Sequence, residues 1–299
     1  MQKIITKIKN RSIWIWEIIR DPILRCIYPQ PKIATMEETI REIIEKKASI
    51  ARYGDGELDM IKGKAIPFQE VDEKLSAKLA HILQTDDEHF LVGLSDIFGK
   101  LDFYKKDTRI YWKRNIRKNR RLWYKYLKKN KQYYNTYISR FYNGFKDKSH
   151  CAEIVAQLKM IWEGRDLLIV EGEKSRLGVG NDLFAGALTL KRILCPPINA
   201  FSSYDEIIDA VKKYDKNHLI LLALGPTATA MAYDLYILGY QALDIGHIDI
   251  EYEWYLMKAE TKVAIKDKYT NEATTSDAIQ IGESSDKKYL SEVVEIVKN

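Results

Sequence analysis

The second half of the chain alternates short apolar segments with helical patterns, and this alternation constrains the fold more than any other feature. Strands that are apolar on both faces and alternate with helices indicate a parallel sheet covered on both sides. We therefore predict an α/β fold with a Rossmann-like, mostly parallel central sheet and helices on both faces. The predicted strands are residues 166–170, 192–195, 218–224 and 241–245, and the helices between them include residues 203–213 and 227–238.

The first half of the chain adds strands at residues 49–53, 90–94 and 135–139, and a helix at residues 109–129. Between Lys105 and Lys131 there are thirteen Lys or Arg residues and one acid, so most of the chain's excess positive charge is local. An apolar stripe recurs at helical spacing through this region. We interpret the region as a basic amphipathic helical insertion; its stripe residues are Trp112, Ile116, Trp123 and Leu127.

The basic helix leaves three interpretations open. It is an ordinary solvated face of an amphipathic helix, a surface that meets an anionic membrane or acceptor, or a binding surface for single-stranded nucleic acid. Several turns that follow predicted strands are rich in carboxylate, glycine and basic residues. Binding to RNA does not require such turns, so they argue against the nucleic-acid interpretation.

The ends of the chain differ from its middle. Residues 1–34 form an amphipathic segment that either lies on a membrane surface or docks on the protein's own core. Residues 35–265 form the main domain, and residues 266–299 form a polar tail with a helix predicted at residues 289–297. Three cysteines without a CxxC pair suggest neither a disulfide framework nor a zinc site. A cytoplasmic location is expected, with peripheral contact at the inner face of the membrane left open.

Ligands of open parallel sheets bind beyond the carboxyl ends of the strands, so the turns that follow strands were compared. The turn after residues 49–53 contains Asp55 and Glu57 on either side of Gly56. Two carboxylates placed so closely can converge on one hard cation, and Mn²⁺ or Mg²⁺ shares such oxygen ligands with phosphates. Asp55 and Glu57 are therefore the predicted metal ligands.

Two further turns have the composition of anion-binding loops. The turn after residues 166–170 is rich in glycine and includes an arginine, which suggests backbone amides and a charge presented to a phosphate. The turn after residues 218–224 opens a helix with a proline, where free amides favour an anion. The residues predicted to line this anion-binding region are Arg52, Glu171, Ser175, Arg176, Gly178, Gly180, Asn181, Asp182, Gly225, Pro226 and Thr227.

The turn after the last strand of the main domain combines His247 with Asp249 and Glu251. A lone histidine is usually structural, but one beside several carboxylates at a strand end is a candidate ligand or base. We predict that one of these three side chains removes a proton from the attacking substrate, with Asp249 and Glu251 as the first candidates.

Several long strings of residues, taken together and in their order along the chain, resemble the bacterial glycosyltransferases of the GT-D fold. This family is also known as domain of unknown function 1792. The resemblance covers residues 35–265. It implies a Rossmann-like domain that binds a UDP-sugar with Mn²⁺ or a similar cation, with Asp55 and Glu57 as the metal pair. It also implies transfer to a lipid-linked or protein-linked glycan. The strings are Arg52–Glu57, Val92–Phe98, Ile169–Phe184, Ala223–Thr229 and Asp244–Trp254.

From the residues and this resemblance together we expect a metal-dependent glycosyltransferase of bacterial cell-surface polysaccharide or glycoprotein synthesis. Two alternatives belong to other classes: a nucleotide-sugar-binding module without turnover, and an RNA-binding protein that uses residues 105–131. The expected partners are a UDP-sugar and a glycan acceptor, without nucleic acid.

Overall fold

The computed structural model describes residues 19–269, 282 and 284–298, and a nine-stranded sheet lies at its centre. All the pairings between neighbouring strands are parallel. The strands are β1 Lys32–Ile33, β2 Ser49–Tyr53, β3 Phe90–Leu94, β4 Gln132–Asn135, β5 Asp166–Gly172, β6 Thr189–Cys195, β7 Leu219–Ala223, β8 Gln241–Asp244 and β9 Val293–Ile296. Their order across the sheet is β1-β4-β3-β2-β8-β7-β5-β6-β9.

Helices connect these strands. They are α1 Met36–Glu45, α2 Asp55–Ile61, α3 Glu73–Ile82, α4 Lys106–Tyr126, α5 Cys151–Trp162, α6 Tyr204–Val211, α7 Pro226–Ile237, α8 Ile248–Leu256 and α9 Lys287–Glu292. Residues 19–27 are also helical, and Thr136–Ser139 and Ala200–Ser203 form short 3₁₀ turns. Within the described residues, no helix is both long enough and apolar enough to cross a bilayer.

The sheet is buried on both faces, which is why its strands read as continuous apolar runs. In β5, Leu168 and Val170 pack into one hydrophobic cluster, while Leu167 and Ile169 pack into the cluster on the opposite face. Successive side chains of a strand point to opposite sides, so each apolar strand contributes to both layers. The predicted α/β fold with a parallel, doubly covered sheet is confirmed.

The strands predicted in the main domain are present at nearly the predicted positions, except at residues 135–139. There the strand is Gln132–Asn135, and Thr136–Ser139 forms a 3₁₀ turn. The side chain of Asn135 accepts a hydrogen bond from the backbone N–H of Tyr137 (2.9 Å), which starts the turn and ends the strand.

The basic helix is present as α4, but its description as an insertion is not confirmed. Helix α4 is the connection between β3 and β4, which pair in parallel, so it occupies the place of an ordinary crossover helix. Its apolar stripe is packed as predicted, with Trp112, Ile116 and Trp123 buried.

Both ends of the chain join the sheet. In the tail, the helix predicted at residues 289–297 ends at Glu292, and β9 then pairs with β6. Three β-branched residues in the last strand favour the extended conformation. At the other end, β1 pairs with β4. Residues 1–18 and most of residues 270–283 lie outside the described residues.

The order of the strands places a crevice between β2 and β8. From β2 the chain continues through β3 and β4 on one side, while β8, β7, β5 and β6 lie on the other side. Connections therefore diverge where β2 and β8 meet, and we call this place the switch point. In open parallel sheets, ligands bind beyond the carboxyl ends of the strands at such a point.

Candidate active site

A cavity of about 700 Å³ opens at the carboxyl ends of the strands around the switch point. Sites for small ligands usually have volumes of roughly 300–1,000 Å³. The turns after β2, β5, β7 and β8 all contribute to its wall, as expected from the sequence. Among the predicted site residues, those that line it are Arg52, Asp55, Glu57, Ser175, Gly225, His247, Asp249 and Glu251.

The turn after β2 presents both predicted metal ligands to this cavity. Glu57 caps helix α2, because one of its carboxylate oxygens accepts a hydrogen bond from the N–H of Gly54 (2.7 Å). Burial, together with the smaller effect of the neighbouring carboxylate of Asp244, raises the pKa of Glu57 to about 7. On Asp55, one carboxylate oxygen accepts a hydrogen bond from the hydroxyl of Tyr111. A cation beside these groups would favour their ionised forms.

Arg52 connects the ends of β2 and β8 at the switch point. Its guanidinium donates hydrogen bonds to the carbonyl and the carboxylate of Asp244 (both 2.6 Å) and to the hydroxyl of Ser139 (2.5 Å). It lies against Gly246, whose φ is +42° and where an added Cβ would collide with the guanidinium. Arg52 is 12% exposed in its side chain, so its main contacts hold the ends of β2 and β8 together.

His247 is the residue that precedes helix α8, and its position on the cavity wall matches the prediction. Asp249 lies two residues further along and is 2% exposed. It accepts hydrogen bonds from the N–H of Gly178 (2.9 Å) and the side chain of Asn181 (2.7 Å). It also forms a buried ion pair with Lys268 (2.7 Å). Asp249 therefore ties helix α8 to the glycine-rich loop.

Glu251 is also 2% exposed. One of its carboxylate oxygens accepts hydrogen bonds from the backbone N–H groups of Tyr142 (3.0 Å) and Asn143 (2.8 Å). Two backbone donors on one carboxylate hold it in place and stabilise its charge. The contacts of Glu251 thus anchor the loop after β4 beneath the cavity floor.

The glycine-rich loop after β5 contributes less to the cavity than its composition suggested. Among its predicted residues, only Ser175 lines the wall, together with Lys174 and Leu177, which were not predicted. Glu171 is fully buried, pairs with Arg192 (2.6 Å) and accepts a hydrogen bond from the N–H of Leu177 (2.8 Å). Glu171 therefore holds the loop in place, and it does not line the cavity.

The remaining loop residues make other contacts. Arg176 is buried and donates hydrogen bonds to the carbonyls of Asp267 and Gly282, which turns it toward the tail of the chain. Asp182 pairs with Lys159 (2.7 Å) at the surface. Neither side chain lines the cavity, so their predicted contact with a nucleotide stays a prediction. Gly178, Gly180 and Asn181 also stand outside the wall, the last held by Asp249.

The turn after β7 brings only its first residue to the cavity. Gly225 has a φ of +56°, and an added Cβ would lie 2.5 Å from the ring of Phe68, which lines the same wall. Pro226 begins helix α7 and is buried. Thr227 is fully buried, and its hydroxyl donates a hydrogen bond to Gln69 (3.2 Å) and not to the cavity. Pro226 and Thr227 therefore shape the turn, while Gly225 keeps the wall open.

Several lining residues were missed in the sequence. Tyr111 comes from the first half of α4, Phe68 from the loop after α2, and Lys262 from the loop after α8. None of them follows a strand directly, so nothing in their sequence positions indicated that they line the cavity. Lys174 had a usable signal, since it lies beside Ser175 in a turn that was already selected.

The parallel sheet and the ligand-sized cavity at its switch point define the class of protein as an open α/β protein with a site at the carboxyl ends of its strands. Comparisons with known proteins identify the family. The family model described as Glycosyltransferase GT-D fold matches residues 50–273. The chain belongs to this family, the GT-D-fold glycosyltransferases.

Curated relatives support the assignment. The chain is 42% identical over 266 residues to "Probable glycosyl transferase Gly" of Streptococcus gordonii, which covers 89% of this chain and 39% of that protein. It is 41% identical over 269 residues to "Glycosyltransferase GlyD" of Streptococcus pneumoniae serotype 4 (strain ATCC BAA-334 / TIGR4), covering 90% of this chain and 33% of that protein. The chain thus spans well under half the length of these two relatives.

Solved structures match over their whole length. One, described as domain of unknown function 1792 with a distinct glycosyltransferase fold, has a TM-score of 0.87 and 40% identity, covering 95% of this chain and 100% of that chain. Another, a glycosyltransferase with this domain from Streptococcus sanguinis, has a TM-score of 0.85 and 41% identity, covering 90% of this chain and 100% of that chain.

Proposed function

We propose that this member of the family is a metal-dependent glycosyltransferase that moves a sugar from a UDP-sugar to a hydroxyl of a glycan acceptor. The observation that carries the proposal is that Asp55 and Glu57, from one turn, both line the switch-point cavity. We further propose that the acceptor is lipid-linked or protein-linked and belongs to bacterial cell-surface synthesis. The three cysteines are free thiols, which fits a reducing cytoplasm.

The residues fit a cation that arrives with a diphosphate. Mg²⁺ and Mn²⁺ prefer oxygen ligands, and Mg²⁺ typically takes one or two carboxylates and completes its shell with phosphate oxygens and water. Asp55 and Glu57 supply two carboxylates, and within the described residues no group of three or more His, Cys, Asp or Glu side chains forms a self-sufficient metal cage. Once bound, the cation would neutralise charge on the leaving diphosphate.

Cationic and backbone groups on the opposite walls suit the rest of a nucleotide diphosphate. Lys174 and Lys262 line the cavity and would offer positive charge to phosphate oxygens. Gly225 precedes helix α7, whose free N–H groups and dipole favour an anion. Phe68 provides an aromatic surface beside Gly225 for a planar base. Together these groups would position the donor before chemistry occurs.

For removal of the acceptor proton, we propose His247 ahead of the two carboxylates predicted with it. A general base must reach the proton that it removes, either directly or through one water. His247 is partly exposed on the cavity wall, whereas Asp249 and Glu251 are 2% exposed and hold backbone and side-chain donors. In this account Asp249 and Glu251 are positioning residues that set the start of helix α8.

Release of UDP tests this proposal and separates it from the binding-module alternative. A panel of UDP-sugars is incubated with the full chain and Mn²⁺, and UDP formation is measured with and without a chelator. Transferases release UDP slowly even without an acceptor, when water takes its place, so we expect chelator-sensitive UDP with at least one donor. A non-catalytic module would bind a UDP-sugar in calorimetry and release none. Asp55→Asn should abolish release without changing the circular dichroism spectrum.

A further inference from the structure

The helix at residues 19–27 carries an exposed row of isoleucines. Ile19, Ile23 and Ile27 are 59–60% exposed and recur every fourth residue, so they lie on one face of the helix. The opposite face carries Asp21 and Leu24, each 3% exposed. A helix of a soluble protein normally turns its apolar face inward. This helix does the reverse, and we call the three isoleucines the apolar stripe.

This helix is fixed against α4. Asp21 forms a buried ion pair with Arg120 of α4 (2.9 Å). The ring of Tyr28 stacks on Tyr124 with centroids 4.8 Å apart, and the hydroxyl of Tyr124 donates a hydrogen bond to the carbonyl of Pro29 (2.5 Å). An ion pair and a ring contact together determine which face of the helix is turned outward. The exposure of the apolar stripe is therefore a consequence of the packing.

Helix α4 carries an exposed row of positively charged side chains. Arg114, Lys118, Arg121 and Lys125 are all exposed, and their spacings of four, three and four place them on one face. We call them the basic stripe. The acid of this helix, Asp107, lies in its first turn and away from the stripe. Arg120 and the apolar row of α4 point inward, whereas all four residues of the basic stripe are exposed.

We propose that the apolar stripe and the basic stripe form one surface that docks on an anionic lipid bilayer. Peripheral helices bind such surfaces by burying apolar side chains at the boundary of the acyl chains while basic residues attract anionic headgroups. Neither stripe alone specifies this partner. A nucleic acid would use the charges and leave the isoleucines in water, and a neutral protein partner would use the isoleucines and leave the charges.

Charge also argues against a second copy of the chain as the occupant. A symmetric dimer through this surface would bring the same patch of both molecules together. The four cations of each basic stripe would then face like charges, which is unfavourable at an interface. A surface of negative charge with an apolar interior satisfies both stripes at once.

The docking surface and the cavity share helix α4. The first turns of this helix line the cavity through Asp107, Thr108 and Tyr111, while the basic stripe follows from Arg114 onward. A bilayer held against the stripe would place the cavity close to the headgroups. This favours a lipid-linked acceptor, a conclusion that rests on the proposed function, whereas docking itself does not.

Sedimentation with vesicles tests the docking of the full chain. We expect binding to vesicles that contain phosphatidylglycerol and little binding to phosphatidylcholine alone. Replacing Arg114, Lys118, Arg121 and Lys125 by Gln should weaken binding about a hundredfold at low salt, and this difference should shrink as salt rises. Replacing the three isoleucines by Ser should weaken binding at least about tenfold. The matched control replaces Met160, Leu188 and Ile237 by Ser, since these side chains are 61–69% exposed elsewhere, and it should bind as the parent does.

Cys26 gives an independent readout at the proposed surface. It is the exposed cysteine of the chain, on the helix of the apolar stripe, and Cys151 and Cys195 are buried. A polarity-sensitive fluorophore on Cys26 should shift to the blue when anionic vesicles are added. The Ile→Ser variant, labelled in the same way, should show no shift.

Three results would overturn the docking proposal. The parent chain could fail to sediment with anionic vesicles, or the Ile→Ser variant could bind as well as its matched control. Third, the parent could form a dimer in analytical ultracentrifugation and bind no vesicles, and the Ile→Ser variant could abolish that dimer. None of these results depends on UDP release, so failure here is distinguishable from failure of the proposed function.

Discussion

The hydroxyl of Tyr111 donates a hydrogen bond to the carboxylate of Asp55, and this contact joins helix α4 to the turn that carries the proposed metal ligands. Burial and the adjacent charge of Asp55 raise the pKa of Tyr111 well above its usual range, so its hydroxyl remains a donor at any working pH. Groups that hydrogen-bond to metal ligands orient them, and their loss typically costs 10–100-fold in metal affinity.

Tyr111→Phe should therefore weaken Mn²⁺ binding about tenfold in the presence of UDP. Because Tyr111 is about half exposed, the unfolding midpoint should change little. Calorimetric titration of Mn²⁺ into the chain with UDP measures the affinity, and Tyr126→Phe on the same helix is the matched control. Equal Mn²⁺ affinities in Tyr111→Phe and the parent would show that the contact does not orient Asp55.

Glu57 should make the stability of the metal-free chain depend on pH. Its pKa is about 7 in the folded chain, above the ordinary value of 4.5, so the folded state binds more protons between these values. Stability should then fall as pH rises from about 4.5 to 7. Glu57→Gln retains an acceptor for the N–H of Gly54 and should remove this loss.

The difference between Glu57→Gln and the parent should reach roughly 1–3 kcal/mol at pH 8 and vanish near pH 4. Urea unfolding at several pH values, with a chelator present, measures it. A parent chain whose stability relative to Glu57→Gln is the same at pH 4 and pH 8 would show that this carboxyl titrates normally.

Asp249→Ala should lower the free energy of unfolding by about 1–3 kcal/mol, because buried Lys268 loses one of its two carboxylate partners and keeps only Glu253, while the N–H of Gly178 loses its acceptor. The double change Asp249→Leu with Lys268→Met should recover part of this loss. Urea unfolding of the three chains checks the prediction. Asp249→Ala that unfolds like the parent, but has lost transfer, would identify Asp249 as the base and displace His247 from that role.

Two glycines with positive φ allow a matched comparison of glycine-to-alanine changes. Gly225 lines the cavity, and Gly180 stands outside its wall. Gly180 has a φ of +81° with open space around it, whereas Gly225 has a φ of +56° with Phe68 in the way. Gly180→Ala should cost about 1–2 kcal/mol of stability for the left-handed backbone.

Gly225→Ala should cost about 1–3 kcal/mol more than Gly180→Ala, because the methyl group must displace an aromatic ring. It should also weaken UDP binding, which Gly180→Ala should leave unchanged. Thermal unfolding and UDP titration of both variants measure these effects. Equal costs and equal UDP affinities would remove Gly225 from the nucleotide site.

The parts of the fold that could be predicted are those where burial on both faces dictates composition. Strands β5 and β7 contain unbroken apolar runs at residues 167–170 and 219–223, and a sheet covered on both faces buries every residue of such a run. Strand β4 was misplaced because Asn135 starts a turn through its side chain, and that local contact outweighs the apolar pattern of the next residues. Edge strand β9 has only partial burial, so its pattern did not separate it from a helix.

The candidate site, like the fold, could be predicted only in part from the sequence. A turn at the end of a strand could be located from the sequence, because parallel strands bring their carboxyl ends together. Which way a side chain in that turn points depends on partners distant in sequence. Arg176 turns to the carbonyl of Asp267, and Glu171 turns to Arg192, so neither reaches the cavity despite its place in the turn.

The central claim is that Asp55 and Glu57 hold one divalent cation against the diphosphate of the donor. A crystal of the chain grown with Mn²⁺ and UDP, measured at a wavelength where manganese scatters anomalously, tests it directly. We expect an anomalous peak within coordination distance of both carboxylates and of the UDP phosphates. A peak elsewhere in the cavity, with either carboxylate outside coordination distance, would contradict it.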